Sequence, residues 1–117
     1  MRIDGCEFGL ITIDGVKYDH DIVIDAGKIK KRKKGPSKSR REEFGHTPLT
    51  AAEKIPWDAR HLWIGTGLYG KLPVTEDLYK EARRRGVEVL VKTTPELVDL
   101  INAGLPAGTN VILHVTC

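Results

Sequence analysis

The sequence predicts an α/β fold with a parallel βαβαβ C-terminal half and an N-terminal antiparallel β-meander attached to it. Two observations carry this prediction: residues 1–30 are short apolar strands separated by turns, and residues 49–117 alternate strand and helix patterns. The 117 residues suit a single domain. We divide it into the meander at 1–30, a basic mobile loop at 28–48 and the βαβαβ half at 49–117.

The meander is predicted from its turns. Residues 10–13 and 16–18 alternate apolar and polar side chains around Asp14-Gly15, a pair that favours the tight turn of a hairpin. A strand at 22–24 follows, and Asp25-Ala26-Gly27 leads from it into a strand at 28–30. Short strands at this spacing indicate antiparallel neighbours.

The basic loop is the most conspicuous feature of the composition. Residues 28–41 carry nine of the 19 lysines and arginines and no acid, whereas the rest of the chain has ten basic and 16 acidic residues. Few apolar residues hold this segment to a core, so we expect it to be mobile. It is a solvated loop, a docking site for an acidic protein or a contact for nucleic acid. The last is disfavoured because the run 28–41 lacks aromatic residues for base stacking. The candidate residues are Lys28, Lys30, Lys31, Arg32, Lys33, Lys34, Lys38, Arg40 and Arg41.

The C-terminal half has well-marked element ends. Acidic residues follow Thr75 and basic residues precede Gly86, which complements the dipole of a helix between them. Pro95 at the first helical position follows Thr94, which is expected to cap the second helix. The predicted order is a strand at 61–64, the helix after Thr75, a strand at 87–91, the helix after Thr94, and a strand at 111–115.

Residues 64–73, IGTGLYGKLP, match two nucleotide-binding motifs in part. Gly65, Gly67 and Gly70 fit G-x-G-x-x-G, and Gly65, Gly70 and Lys71 fit a phosphate loop that lacks its final Ser or Thr. Pro73 disfavours helical geometry at the residue before it, so the helix is expected to begin near Thr75, too far away to bind a pyrophosphate. We therefore interpret the stretch as a turn from strand to helix.

A smaller ligand site at the same turn stays open. The N–H groups of Gly65, Thr66 and Gly67 could form an anion-binding nest at the carboxyl edge of a parallel strand. Thr94 either caps its helix or contacts such a ligand. Asn102 either ties down the turn that follows its helix or points into a crevice shared with these glycines.

Several short motifs, in the correct order, resemble the Mth-domain family of small proteins. They are the apolar strand that enters Gly65-Thr66-Gly67, residues 85–89 (RGVEV), Thr94 with Asn102, and Tyr18 with residues 21–24 (DIVI). The family includes uncharacterised archaeal and bacterial proteins, an adipogenesis-associated animal protein and a mitochondrial assembly factor for respiratory complex I. The resemblance implies a three-layer α/β fold with a mixed central sheet and, in eukaryotic relatives, roles in assembly or regulation; it does not imply an enzyme. Leu97 stands where relatives usually carry alanine, and the lysine run is denser than the family pattern.

No spacing of residues indicates catalysis or a resident cofactor. The four histidines are far apart in sequence, and the two serines lie in the basic segment. Asp19 and Asp21 flank His20 on an extended segment, which fits either an acid/base pair or solvated strand residues. We therefore expect no metal and no cofactor, and a non-enzymatic protein-binding module. One alternative is a protein that binds a small molecule or anion at the glycine turn, or an enzyme with its site there. A weaker alternative is a nucleic-acid accessory protein that uses the basic loop.

Cellular context is predicted from composition alone. No apolar run has the length of a membrane helix, and residues 1–5 lack the apolar segment of a signal peptide, so we expect a cytoplasmic monomer or weak homodimer. Cys6 and Cys117 either stay free or form a bridge, which would stabilise the fold by about 4–5 kcal/mol. Such a bridge and the abundance of Lys, Glu and Arg would both be typical of a thermophile.

Overall fold

The first three strands form the hairpins that the sequence predicts. The computed structural model describes residues 1–115. Strands β1 (Ile3–Glu7), β2 (Leu10–Ile13) and β3 (Val16–Tyr18) make a separate antiparallel sheet in the order β1-β2-β3. The predicted turn at Asp14-Gly15 has φ angles of 49° and 80°, which are the left-handed values of a tight two-residue turn.

The next hairpin leaves this meander and joins the central sheet. It consists of β4 (Ile22–Asp25) and β5 (Lys28–Lys31), and β4 pairs antiparallel with a C-terminal strand. Ile22 and Ile24 pack into one hydrophobic core, and Val23 between them packs into another. A strand that is apolar on both sides needs cover on both, which a central sheet provides. The prediction of one continuous meander over 1–30 is corrected on this point.

The segment from 35 to 44 was predicted as part of a mobile loop and instead has helical structure. A 3-10 helix at Gly35–Arg40 leads into the short helix α1 at Arg41–Phe44. Ser37 is fully buried, and its hydroxyl hydrogen-bonds Thr50 and Glu53. Polar contacts therefore anchor a segment that has few apolar residues.

The alternation of strands and helices in the C-terminal half is confirmed. Its elements are β6 (His61–Gly65), α2 (Glu76–Arg85), β7 (Glu88–Lys92), α3 (Thr94–Ala103) and β8 (Thr109–Leu113). The central sheet has the order β5-β4-β8-β6-β7, with β7 and β8 parallel to β6 and β4 antiparallel to β8. The predicted mixed sheet is therefore present.

The two long helices cover opposite faces of this sheet. The chain moves outward from β6 to β7 and then returns past β6 to β8, so right-handed crossovers place α2 and α3 on different sides. Leu78 and Ala82 of α2 belong to one core, whereas Leu97 and Ile101 of α3 belong to the other, together with the β1–β3 sheet. The three-layer α/β fold is confirmed.

Of the two cysteines that stay free or form a bridge, the structure describes Cys6. Cys6 lies in β1 and is partly buried, and burial raises the pKa of its thiol. The Gly9 N–H donates to the Val115 carbonyl at 2.9 Å, so the end of the described chain lies beside the turn after β1. Cys117 lies outside the described residues, so both alternatives, free thiols and a bridge, stay predictions.

Candidate functional site

The glycine turn after β6 is closed by the chain itself. The Thr66 N–H donates to the Lys92 carbonyl at 2.9 Å, and the Gly67 N–H donates to the Thr94 hydroxyl at 2.8 Å. A Cβ at Gly65 would lie 2.9 Å from Thr94 Oγ1 and 3.0 Å from a Leu113 methyl. These contacts rule out the predicted nest, because two of its N–H donors are used internally. The helix begins at Glu76, after Thr75, as predicted.

Thr94 has a different role from the predicted cap. The capping residue of α3 is Thr93, whose side chain accepts from the Glu96 N–H while the Glu96 carboxylate accepts from the Thr93 N–H. Thr94 is fully buried, and its hydroxyl also donates to the His114 carbonyl at 2.8 Å. Its side chain therefore joins the turn after β6 to the end of β8.

Asn102 does not reach this turn. Its side-chain oxygen accepts from the Ile3 N–H and its amide donates to the Ile3 carbonyl, both at 2.9 Å. The two bonds complete the pairing of a backbone segment in β1 and fix the small sheet to α3. Asn102 is thus structural, with a partner distant in sequence. It does not join Gly65, Thr66, Gly67 and Thr94 in the candidate crevice that was the alternative to a structural role.

The nine predicted basic residues do not form one uniform surface. Most are exposed, but Arg32 is buried with 5% of its surface accessible. Arg40 forms ion pairs with Glu43 and Asp77 and lies over the Phe44 ring. The nine residues are spread over four parts of the chain. Strand β5 contains Lys28, Lys30 and Lys31, and the connection after it contains Arg32, Lys33 and Lys34. The 3-10 helix contains Lys38 and Arg40, and α1 contains Arg41.

Arg32 is the centre of a buried charge cluster. Its Nε and Nη2 donate to the two oxygens of Glu53, both at 2.8 Å, and its Nη1 donates to Asp21 at 2.8 Å. A further bond reaches the Pro48 carbonyl at 2.9 Å. Burial alone lowers the pKa of Arg32, but the hydrogen bonds and charges of Glu53 and Asp21 outweigh it and raise that pKa.

Asp21 connects this cluster to the end of β8. Because β4 is antiparallel to β8, Asp21 before β4 lies beside His114 after β8, and the two side chains are 2.8 Å apart. Asp21 also accepts from the Val115 N–H at 2.7 Å. Burial raises the pKa of Asp21, yet His114, the Val115 N–H and Arg32 together lower it to about 2. Asp21 is therefore neither a solvated strand residue nor half of a carboxylate pair with Asp19.

The cluster contains Ser, His and Asp side chains but not in a nucleophilic arrangement. The Ser37 hydroxyl donates to Glu53 at 2.5 Å, whereas His114 contacts Asp21. A serine is activated by a base that accepts its proton, and Glu53 is engaged by Arg32. The sequence offered one signal for this cluster: residue 32 is the only arginine in the run 28–34, and arginine is favoured in buried ion pairs.

A surface cleft of about 610 Å³ lies beside the cluster, and we call it the lysine cleft. One wall is the β4–β5 hairpin with the residues after it, and the other is the segment 54–58. Its apolar part is Val23, Ile55, Pro56 and Trp57, and its charged part is Lys30, Lys31, Lys33, Lys54, Asp25 and Asp58. The bidentate Arg32–Glu53 pair joins the two walls, since Arg32 follows β5 and Glu53 precedes Lys54.

The four lysines of this cleft outnumber its two acids, Asp25 and Asp58. Lys30 lies 3.1 Å from Asp25, an exposed pair of little energetic value. Within residues 1–115, Lys31, Lys33 and Lys54 form no ion pair. Trp57 is partly exposed, and the Arg85 guanidinium lies 5.4 Å from the centre of its ring. The cleft therefore combines an apolar floor with an excess of positive charge.

Residues 1–115 contain neither a metal-binding cluster nor a membrane-spanning helix. No group of three or more His, Cys, Asp or Glu side chains in that part of the chain could hold a metal ion. Between residues 1 and 115, no helix has both the length and the apolar character needed to cross a membrane.

Comparisons with known proteins show a shared fold. Residues 3–114 match a family described as protein of unknown function (DUF498/DUF598). The crystal structure of a conserved hypothetical protein from Pyrococcus horikoshii OT3 is 33% identical, covers all of both chains and superposes with a TM-score of 0.83. A search of the curated proteins found no match.

Two further structures are more distant. The protein MT938 is 25% identical, with 99% of this chain and 98% of that chain covered and a TM-score of 0.65. The crystal structure of an outer membrane protein from Bartonella henselae is 17% identical over 98% of this chain and 94% of its own, with a TM-score of 0.66. At that identity the second likeness shows the fold alone.

Proposed function

We propose that this chain, which belongs to the DUF498/DUF598 family of proteins of unknown function, is a non-enzymatic module that binds an acidic segment of a partner protein. The binding surface is the lysine cleft. The carrying observation is that the apolar floor is lined by four lysines and two acids, and that three of those lysines, Lys31, Lys33 and Lys54, form no ion pair among the described residues. The Mth-domain resemblance, with its assembly-type relatives, points in the same direction.

Charge distribution supports an acidic ligand. Nine basic residues and no acid lie in residues 28–41, while the rest of the chain has a balance of −6. A ligand that carries negative charge is attracted at the cleft and repelled elsewhere, which favours one orientation. Trp57, Ile55 and Pro56 add apolar contact area, and aromatic residues are enriched in protein interfaces.

Nucleic acid fits this surface less well than an acidic peptide does. Binding of single strands uses successive aromatic side chains as stacking platforms. The cleft offers Trp57 alone, beside the Arg85 guanidinium. The acidic remainder of the chain would also repel a long polyanion, whereas a short acidic segment is confined to the cleft.

The test is a fluorescence anisotropy titration with a labelled ten-residue polyglutamate peptide. The triple variant Lys31→Ala, Lys33→Ala and Lys54→Ala is expected to bind at least tenfold more weakly than the unchanged protein. A matched control, Lys17→Ala, Lys71→Ala and Lys80→Ala, removes the same charge from exposed positions outside the cleft. Its affinity is expected to change less than twofold at 150 mM salt, since distant exposed charges are screened.

Two results would overturn the proposal. Equal losses in the two triple variants would show that only net charge matters. Tighter binding of a 20-base single-stranded DNA, with the loss confined to the cleft variant, would replace the acidic protein by nucleic acid as the ligand.

A further inference from the structure

We infer that the acidic segment binds as an additional strand along the free edge of β5, with acidic and apolar residues alternating. This inference rests on the proposed function and specifies the form of its ligand. Strand β5 is at one end of the central sheet, where its outer side lacks a neighbouring strand among the described elements. An edge strand can accept an extended peptide through its unpaired backbone groups.

The hairpin register identifies which groups point outward. In a two-residue hairpin the flanking pair Asp25–Lys28 is hydrogen-bonded, and hydrogen-bonded pairs recur at every second residue. The Arg32 N–H donates to the Asp21 carbonyl at 2.9 Å, which agrees with this alternation. Ile29 and Lys31 lie between the bonded positions, so their N–H and C=O groups point away from β4. An added strand would pair with them.

The same register sets the side chains that an added strand would meet. Residues directly opposite each other share a face of the sheet, so Lys28 and Lys30 lie on the face of Asp25 and Val23, which line the lysine cleft. Ile29 lies opposite Ile24 and packs at the core on the other face. Lys31 lies opposite Ile22 and so shares the face of Ile29. Successive residues of the added strand would therefore meet the face of Lys28 and Lys30 and then the face of Ile29, with Lys31 at its end.

Charge selects the occupant of this edge. A second copy pairing through its own β5 would bring lysines against lysines, which destabilises cross-strand pairs. Lysines on an edge strand prevent such self-association. Carboxylates in the added strand would instead pair with these lysines and stabilise the complex. The edge therefore favours binding of an acidic segment from another protein over pairing with a second copy of this chain.

Two peptides of equal composition test the inference. The first is acetyl-EVEVEVE-amide, in which glutamate and valine alternate; the second is acetyl-EEEEVVV-amide, in which they form blocks. Both carry the same fluorescent label and charge, so only the first can present acids to the lysines and valines to Ile29 as a strand. We expect it to bind at least tenfold more tightly.

Backbone changes on either partner test the hydrogen bonds. N-methylation of one alternate set of residues in the first peptide should abolish binding, and N-methylation of the other set should preserve it, because only one set faces β5. In the protein, Ile29→Pro removes an N–H that points outward and should reduce affinity at least tenfold, whereas Ile29→Ala keeps it and should bind more tightly than Ile29→Pro. If Ile29→Pro does not fold, the N-methylated peptides decide the question alone.

The outcomes separate this inference from the proposed function. Equal affinity of the two peptides, reduced in the Lys31, Lys33 and Lys54 variant, would overturn strand addition and leave the acidic-ligand function standing. Equal effects of the two N-methylated sets would also overturn it. Failure of both peptides and of polyglutamate to bind would overturn the proposed function and this inference together.

Discussion

The Arg32 guanidinium donates two parallel hydrogen bonds of 2.8 Å to the Glu53 carboxylate, and each side chain is at most 3% exposed. This pair joins the connection after β5 to the segment that begins at Lys54. The two walls of the lysine cleft thus have a fixed separation. A rigid cleft loses less entropy when a ligand binds than a flexible one does.

Breaking this pair should destabilise the fold strongly. Glu53→Gln leaves the Arg32 charge buried with fewer acceptors, and we expect the free energy of unfolding to fall by about 3–5 kcal/mol. Urea denaturation measures it, with Lys33→Gln as an exposed control expected within about 0.5 kcal/mol of the unchanged protein. A loss at Glu53 no larger than the control would show that the pair contributes nothing to stability.

The ionised Asp21 side chain should make the free energy of unfolding decrease as the pH falls. Its pKa is lowered in the fold from 3.8 to about 2, so the unfolded chain binds this proton first as the pH falls. The contribution, about 2 kcal/mol, is complete above pH 4 and is lost as the pH falls through 2. Asp21→Asn should therefore flatten the decline in unfolding free energy between pH 4 and 2, and Asp99→Asn, at an exposed position of α3, should not. An unchanged slope in Asp21→Asn would contradict this assignment.

Gly65 should tolerate no side chain. The Cβ of Gly65→Ala would come within 3.2 Å of the Thr94 Cα as well as close to its hydroxyl, so backbone atoms must move. We expect a loss of about 1–3 kcal/mol, as for other overpacked cores. Gly35→Ala meets no atom within 4 Å and serves as the control in thermal denaturation. Equal melting temperatures of the two variants would show that the turn has room.

The neighbouring threonines should respond differently to removal of the hydroxyl. Thr94→Val removes the buried acceptor of the Gly67 N–H together with the hydroxyl bond to the His114 carbonyl, and we expect a loss of about 1–3 kcal/mol. Thr93→Val removes only the helix cap, and we expect the free energy of unfolding to fall by about 1 kcal/mol. Urea denaturation compares the two, and amide exchange at Gly67 should accelerate in Thr94→Val alone. A larger effect at Thr93 would contradict the role given to Thr94.

The sequence predicted the elements whose ends are chemically marked. Pro73 and Thr75 set the beginning of α2, and Gly86 ends it, because these residues act on the backbone beside them. The same local reasoning placed the cap of α3 one residue late, since Thr93 and Thr94 are both threonines and only three-dimensional contacts distinguish them.

Contacts between distant residues were the part that could not be predicted. Arg32 reads as one cation among nine, and nothing local shows that Asp21 and Glu53 meet it in the interior. Asn102 was recognised as a polar residue that needs partners, but those partners are 99 positions away in β1. The lysine cleft likewise needs Trp57 and Lys54 from outside the basic run.

Strand β8 lies between β4 and β6, and Ile22 of β4 pairs with Leu113 of β8. During synthesis the ribosome must therefore deliver nearly the whole described chain before the sheet can close. Until then β4 and β6 each have an apolar edge that faces solvent without a paired strand. Unpaired strand edges and exposed apolar surface make a partly folded chain prone to aggregation, so the synthesis of β8 removes this risk for the central sheet.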